Sequence, residues 1–227
     1  YVFNRAPTTF DPIPFVLGQK GPAECIGFDA SQAAIVYLVP RDGSDIIEVE
    51  VDAHFNFHFA NGFEDEEGNI NFDVVKCDSM QLGNSQNMQE PLPVTVDYAK
   101  DVPYSKLVRY TFSADSNSKS GYRYSTRELS KTQVDFVSVA PGKSCLQHKF
   151  VYAASGSDLT QSSPIQGLVK IDCDAGTETK WIGERHEYLG ESIFVAKEGA
   201  EEEDDGYLMT IDYDGNKNAS HFIMWDA

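Results

Sequence analysis

Basic residues are scarce in this 227-residue chain: 18 Lys and Arg stand against 36 Asp and Glu, a formal net charge of −18. No Lys/Arg cluster is dense enough to neutralise a run of phosphates, which argues against nucleic acid as a partner. The acids are dispersed apart from residues 198–205, so most of this charge reads as a solvated, self-repelling surface. Cysteine is sparse as well. Cys25, Cys77, Cys145 and Cys173 lie far apart, with no C-x-x-C pair and no Cys/His spacing of a structural zinc site. They are expected to be reduced, mostly buried thiols, with two disulfides as the alternative in a secreted protein. No apolar run approaches the roughly 18 residues of a membrane span. Helix signals are nearly missing, and only 78–87 has the character of a helical turn.

What the chain does have is short alternating or apolar runs punctuated by turns. Runs at 33–39, 46–51, 69–75, 106–112, 133–139, 149–153, 167–173, 191–195, 207–213 and 220–224 read as strands. Asp42-Gly43, Asp174-Ala175-Gly176 and Asp214-Gly215-Asn216 supply turn chemistry between them. This cadence predicts an all-β sandwich, barrel or propeller in one domain over 1–227. The chain starts at Tyr1 rather than Met and stops just after an alternating strand, so it reads as an internal piece, incomplete at both ends. Open strand edges would then make it aggregation-prone.

The run from His54 to Glu64 sets histidines and phenylalanines in strict alternation. On a strand, His54, Asn56, His58 and Ala60 would share one face while Phe55, Phe57 and Phe59 pack on the other. Two histidines four residues apart on one strand are separated by about 13 Å, too far to bind one metal ion. At most one of them is a ligand for a given ion.

Several segments, in order, resemble the carotenoid cleavage oxygenases, a non-haem iron family that also contains retinoid isomerases. Phe57-His58-Phe59-Ala60-Asn61-Gly62-Phe63-Glu64 is similar to the family's F-H-x-x-N-A-x-E, with Gly62 in place of Ala. The turn ending Val39-Pro40-Arg41-Asp42-Gly43, the Leu107-Val108-Arg109-Tyr110 segment, and Val134-Asp135-Phe136 followed by Lys149-Phe150-Val151-Tyr152-Ala153-Ala154 continue the likeness. Tyr188-Leu189-Gly190-Glu191-Ser192-Ile193-Phe194-Val195 resembles Y-x-G-E-P-I-F-V, and Gly199-Ala200 to Leu208 resembles G-A-x-x-E-D-D-G-x-L.

The resemblance implies part of a seven-bladed β-propeller, several consecutive antiparallel blades, with Fe(2+) held on its axis by four histidines. His58 matches the third ligand; the first two would precede Tyr1 and the fourth would follow Trp225. His148, His186 and His221 match no ligand position. Asp135 and Glu191 match the acids that hold ligand imidazoles from behind. Asp135 replaces Glu and is one methylene shorter, so its contact with His58 would need a water or a small strand shift. The implied activity is oxygenase cleavage of a carotenoid or apocarotenoid double bond with O2, in the cytoplasm or a plastid, with peripheral membrane contact through regions outside this chain. A retinoid isomerase of the same fold and a metal-free propeller binding module are the alternatives. Residues 198–205 read as an exposed acidic loop whose spacing does not suit calcium.

Overall fold

The computed structural model describes residues 1–80, 97–158 and 160–227. Among these described residues seventeen strands follow in chain order. They are β1 (Val2–Arg5), β2 (Thr8–Phe10), β3 (Ile26–Phe28), β4 (Ala34–Leu38), β5 (Ile47–Val51), β6 (Phe59–Glu64), β7 (Ile70–Cys77), β8 (Ser105–Ala114) and β9 (Tyr122–Glu128). The rest are β10 (Val134–Ser138), β11 (Phe150–Gly156), β12 (Ile165–Asp172), β13 (Thr177–Ile182), β14 (Glu187–Leu189), β15 (Ile193–Ala196), β16 (Gly206–Asp214) and β17 (Ala219–Asp226). Two short helices are described, α1 (Pro12–Val16) and α2 (Tyr98–Asp101). The helical turn expected at 78–87 falls, from residue 81 onward, outside the described residues.

Among the described residues pairing is antiparallel, and it runs mostly between neighbours in the chain, with β1–β4 and β14–β16 as the exceptions. The sheets are β1-β4-β5, the small β2-β3 pair, β6-β7-β8-β9, β10-β11-β12-β13, and β14-β16-β15 with β17 on β16. In the two four-stranded meanders each strand pairs with the next one in the chain. Alternation then decides which face is buried. Val36 and Val49 from the first sheet meet Phe72, Val74, Tyr110 and Phe112 of the second. Leu107 of the second meets Val151, Val169 and Ile171 of the third, and Tyr152 of the third meets Phe194 and Leu208 of the fourth. The sheets therefore stack face to face in chain order. At about 1.5–3 kcal/mol for each fully buried large apolar side chain, these seams outweigh anything the exposed ion pairs add.

Two expectations are corrected. The segment from His54 to His58 is not a regular strand; it keeps one isolated bridge, Phe55 to Cys77, and β6 begins only at Phe59. The cause is His54, which is fully buried. Its Nδ1 lies 2.9 Å from the Asp52 carbonyl, its Nε2 lies 2.9 Å from Asn4 Nδ2, and its ring stacks on Tyr110. Drawing that ring inward bends the chain, and Phe57 and Phe59 end 58% and 42% exposed instead of packed in a core. The acids at 203–205 are not free in solvent. Glu203 accepts hydrogen bonds from the Lys149 and Phe150 amides at the start of β11, Asp204 pairs with Lys170, and Asp205 with Lys197.

Candidate metal centre

His58 sits at the entry to β6, and its carbonyl accepts a hydrogen bond from the Val75 amide of β7 at 3.0 Å. Its Nδ1 lies 2.7 Å from Asp135 Oδ1 on β10 of the next sheet. With Nδ1–H donating to the carboxylate, Nε2 carries a lone pair, and among the described residues it has no hydrogen-bond partner. The side chain is 41% exposed, so that nitrogen is open to a ligand.

Asp135 reaches His58 directly, without the water its missing methylene suggested. The small strand shift is present instead. The β10–β11 register slips between Asp135 and Ser138, and Phe136 takes φ +50, the left-handed region that a bulky side chain rarely adopts. The Phe136 amide folds back on Asp135 Oδ1 at 2.8 Å, so one oxygen receives both donors. This kink sets the Phe136 ring beside the imidazole, tilted and 5.0 Å between centroids, with Phe57 at 6.3 Å. Neither ring stood out in the sequence as part of a site; a positive φ at a phenylalanine leaves no mark on composition or periodicity.

The second matched acid is elsewhere. Glu191 lies exposed before β15, and its side chain makes no hydrogen bond or ion pair with a described residue; only its carbonyl is used, by Thr210 Oγ1 at 2.9 Å. The structure thus joins Asp135 to His58 and leaves Glu191 apart. Cys77 is close enough to feel the Asp135 charge, but burial above all pushes its thiol up to about 12.

Asp73, His148 and Cys173 are the one cluster of three metal-donor side chains among the described residues whose ligand atoms lie within 4.8 Å of one another. It does not suit a cation. Arg109 donates Nε and Nη2 to the two Asp73 oxygens at 2.7 Å each, and His148 Nε2 lies 2.9 Å from Asp73 Oδ2. Burial alone would raise the Asp73 carboxyl, yet these donors hold it below its ordinary value. Burial pushes Cys173 up to about 12. The Arg109 guanidinium is already the cation of this cluster. His221 is likewise spoken for, 3.1 Å from Asp212 Oδ1.

The sequence profile of the retinal pigment epithelial membrane protein family matches residues 1–227. The chain belongs to that family. It is 29% identical to apocarotenoid-15,15'-oxygenase of Synechocystis sp. over 227 residues, covering 100% of this chain and 44% of the relative. It is 27% identical to the chloroplastic carotenoid cleavage dioxygenase 7 of Oryza sativa subsp. japonica, covering 86% of this chain and 36% of that protein. The crystal structure of cobalt-substituted Synechocystis ACO superposes with a TM-score of 0.89 at 27% identity, over 99% of this chain and 45% of that one. The chain therefore spans less than half the length of each of these three proteins. Its stacked antiparallel sheets are blades of the family's β-propeller.

Proposed function

We propose that the protein is an Fe(II)-dependent dioxygenase that cleaves a C=C double bond of a carotenoid or apocarotenoid with O2 to give carbonyl products. One observation carries the reading: an imidazole with Nδ1 held by a carboxylate at 2.7 Å and Nε2 left open. Membership in a family whose relatives are named as carotenoid and apocarotenoid oxygenases supports it. Three further imidazoles would come from the rest of the intact protein, closing a seven-bladed propeller around the ion. Ferrous iron held by neutral histidines would supply dioxygen activation beside the alkene. Asp135 fixes the tautomer and ring angle of His58. Phe57 and Phe136 give the imidazole an apolar aromatic flank suited to a polyene. Glu191 would hold a second ligand imidazole that lies outside this chain.

The exposed apolar side chains of α1 and its end, Ile13, Phe15, Val16 and Leu17, support peripheral contact with a lipid surface, from within this chain and not only from regions outside it. No helix among the described residues is long and apolar enough to cross a membrane.

The test is metal analysis of the intact purified protein together with mass analysis of products from a carotenoid or apocarotenoid. One iron per chain and two carbonyl fragments that together account for one O2 are expected. A product of unchanged mass would replace this reading with the retinoid isomerase, and a protein with neither iron nor turnover would replace it with the binding module.

A further inference from the structure

Asn61 lies on β6, three residues beyond His58, and every polar atom of its side chain is committed to the next blade. Its Oδ1 accepts the Cys145 amide at 2.9 Å, while Nδ2 lies 2.9 Å from the Lys143 and Leu146 carbonyls and 3.0 Å from His148 Nδ1. These contacts fix the amide's orientation. A flipped Asn61 would set donor against donor at Cys145 and oxygen against oxygen at Lys143 and Leu146. His148 Nδ1 then faces the two Nδ2 hydrogens, which three acceptors share, and its Nε2 lies 2.9 Å from Asp73 Oδ2 and 3.3 Å from Arg109 Nη2, while Arg109 grips Asp73 with two parallel bonds. Phe63 closes the group, edge-on to His148 at 5.3 Å and beneath the Arg109 guanidinium at 5.0 Å. His148, Asp73 and Arg109 are all buried.

The loop held this way, residues 139–149, is the continuation of β10, the strand that carries Asp135. β6 and β10 thus meet at two points, His58 with Asp135 and Asn61 with the loop, and the strained Phe136 backbone lies between them. A bulky residue at φ +50 persists only where its surroundings over-determine it. Within the metal-centre reading above, on which it rests, we infer that Asn61, backed by the Asp73–Arg109–His148 group, is a positioning device for that centre. It pins the loop after β10 so that the strand keeps its kink and Asp135 stays on His58 Nδ1.

Two readouts test this in the intact protein. The His58 Nδ1–H proton, followed after selective 15N-histidine labelling in metal-free protein, reports the bond to Asp135. Iron retention in a chelator series reports the centre. Asn61→Asp keeps the side chain's size but turns donors into acceptors. It should lose or shift the His58 proton signal and lower iron retention on the order of 10-fold. His148→Phe, which leaves Asp73 paired with Arg109, should act in the same direction if Asn61→Asp does not fold. Val169→Ala, a core truncation between the same two sheets, should lower the melting temperature yet keep both the signal and the iron. The inference is overturned if Asn61→Asp or His148→Phe folds with the His58 signal unmoved, or if Val169→Ala moves it equally. Should the wild type bind no iron while Asn61→Asp still displaces the His58 signal, the positioning role stands and the oxygenase reading falls.

Discussion

A single bond, His58 Nδ1 to Asp135 Oδ1 at 2.7 Å, decides how the candidate centre should respond to substitution. His58→Ala removes the open nitrogen, so iron and turnover should both be lost in the intact protein. Asp135→Asn keeps the shape but withdraws the charge behind the ring, and iron retention should fall on the order of 10- to 100-fold. Asp135→Glu should also weaken retention, because the kink at Phe136 has already closed the distance and an added methylene would displace the imidazole. Retention unchanged or improved in that variant would show that the carboxylate still falls short in solution. Glu191→Gln should lower retention only if the side chain meets a ligand from outside this chain; no effect would mark it as a solvated carboxylate. His54 makes a separate prediction. Burial, partly opposed by the Asp52 carbonyl, holds its pKa below the ordinary histidine value of 6.5, which favours the neutral ring in the folded protein. The unfolded chain therefore takes up the proton first as pH falls. The stability His54 contributes is present above pH 6.5 and lost as pH drops below it. Melting temperatures from pH 8 to 5 should show this decline, and His54→Gln should flatten it.

At the scale of elements, the acidic segment before β16 is a set of clamps. Glu203 bonds the first amides of β11, which would otherwise lack partners at the strand's start. Glu203→Ala should destabilise by roughly 1–3 kcal/mol, the cost of leaving such groups unpaired, and denaturant unfolding would measure it. Glu201→Ala, in the exposed part of the loop, is the matched substitution and should change little. Gly206 opens β16 where a Cβ would come within 2.3 Å of the Phe194 ring and 2.6 Å of the Val195 carbonyl. Gly206→Ala should therefore displace β15 and cost on the order of 1–3 kcal/mol. A melting temperature equal to wild type would mean that Phe194 gives way freely.

For the molecule as a whole, the surface opposes two forces. Ile193, Ile211, Phe222 and Met224 lie exposed on the last sheet, with Ile211 directly opposite Phe222 in the β16–β17 ladder. Such a face favours self-association of the isolated chain. The formal charge of −18 resists it through repulsion that salt screens. The apparent mass of the 227-residue chain in size-exclusion light scattering should therefore rise with ionic strength. Ile211→Lys with Phe222→Lys should suppress the rise, and a salt-independent monomer would count against this face as the sticky surface.

Strand content was legible in the sequence, because alternation and turn residues act over a few neighbours and do not depend on the rest of the fold, whereas His58 was singled out only by the family resemblance. Local pattern thus determined which segments could form strands. Contacts between blades decided the rest. Burial of His54 beside Tyr110 cancelled the regular strand that the alternation at 54–58 predicted. The kink at Phe136 brought Asp135 onto His58, and the partners of Asn61 lie more than eighty residues away. Glu203 and its neighbours, which read as solvated charge, became clamps only once β11, β12 and β15 had packed around them. Local pattern sets the period of a strand, whereas the backbone strain and hydrogen-bond partners that shape the site exist only after distant segments meet.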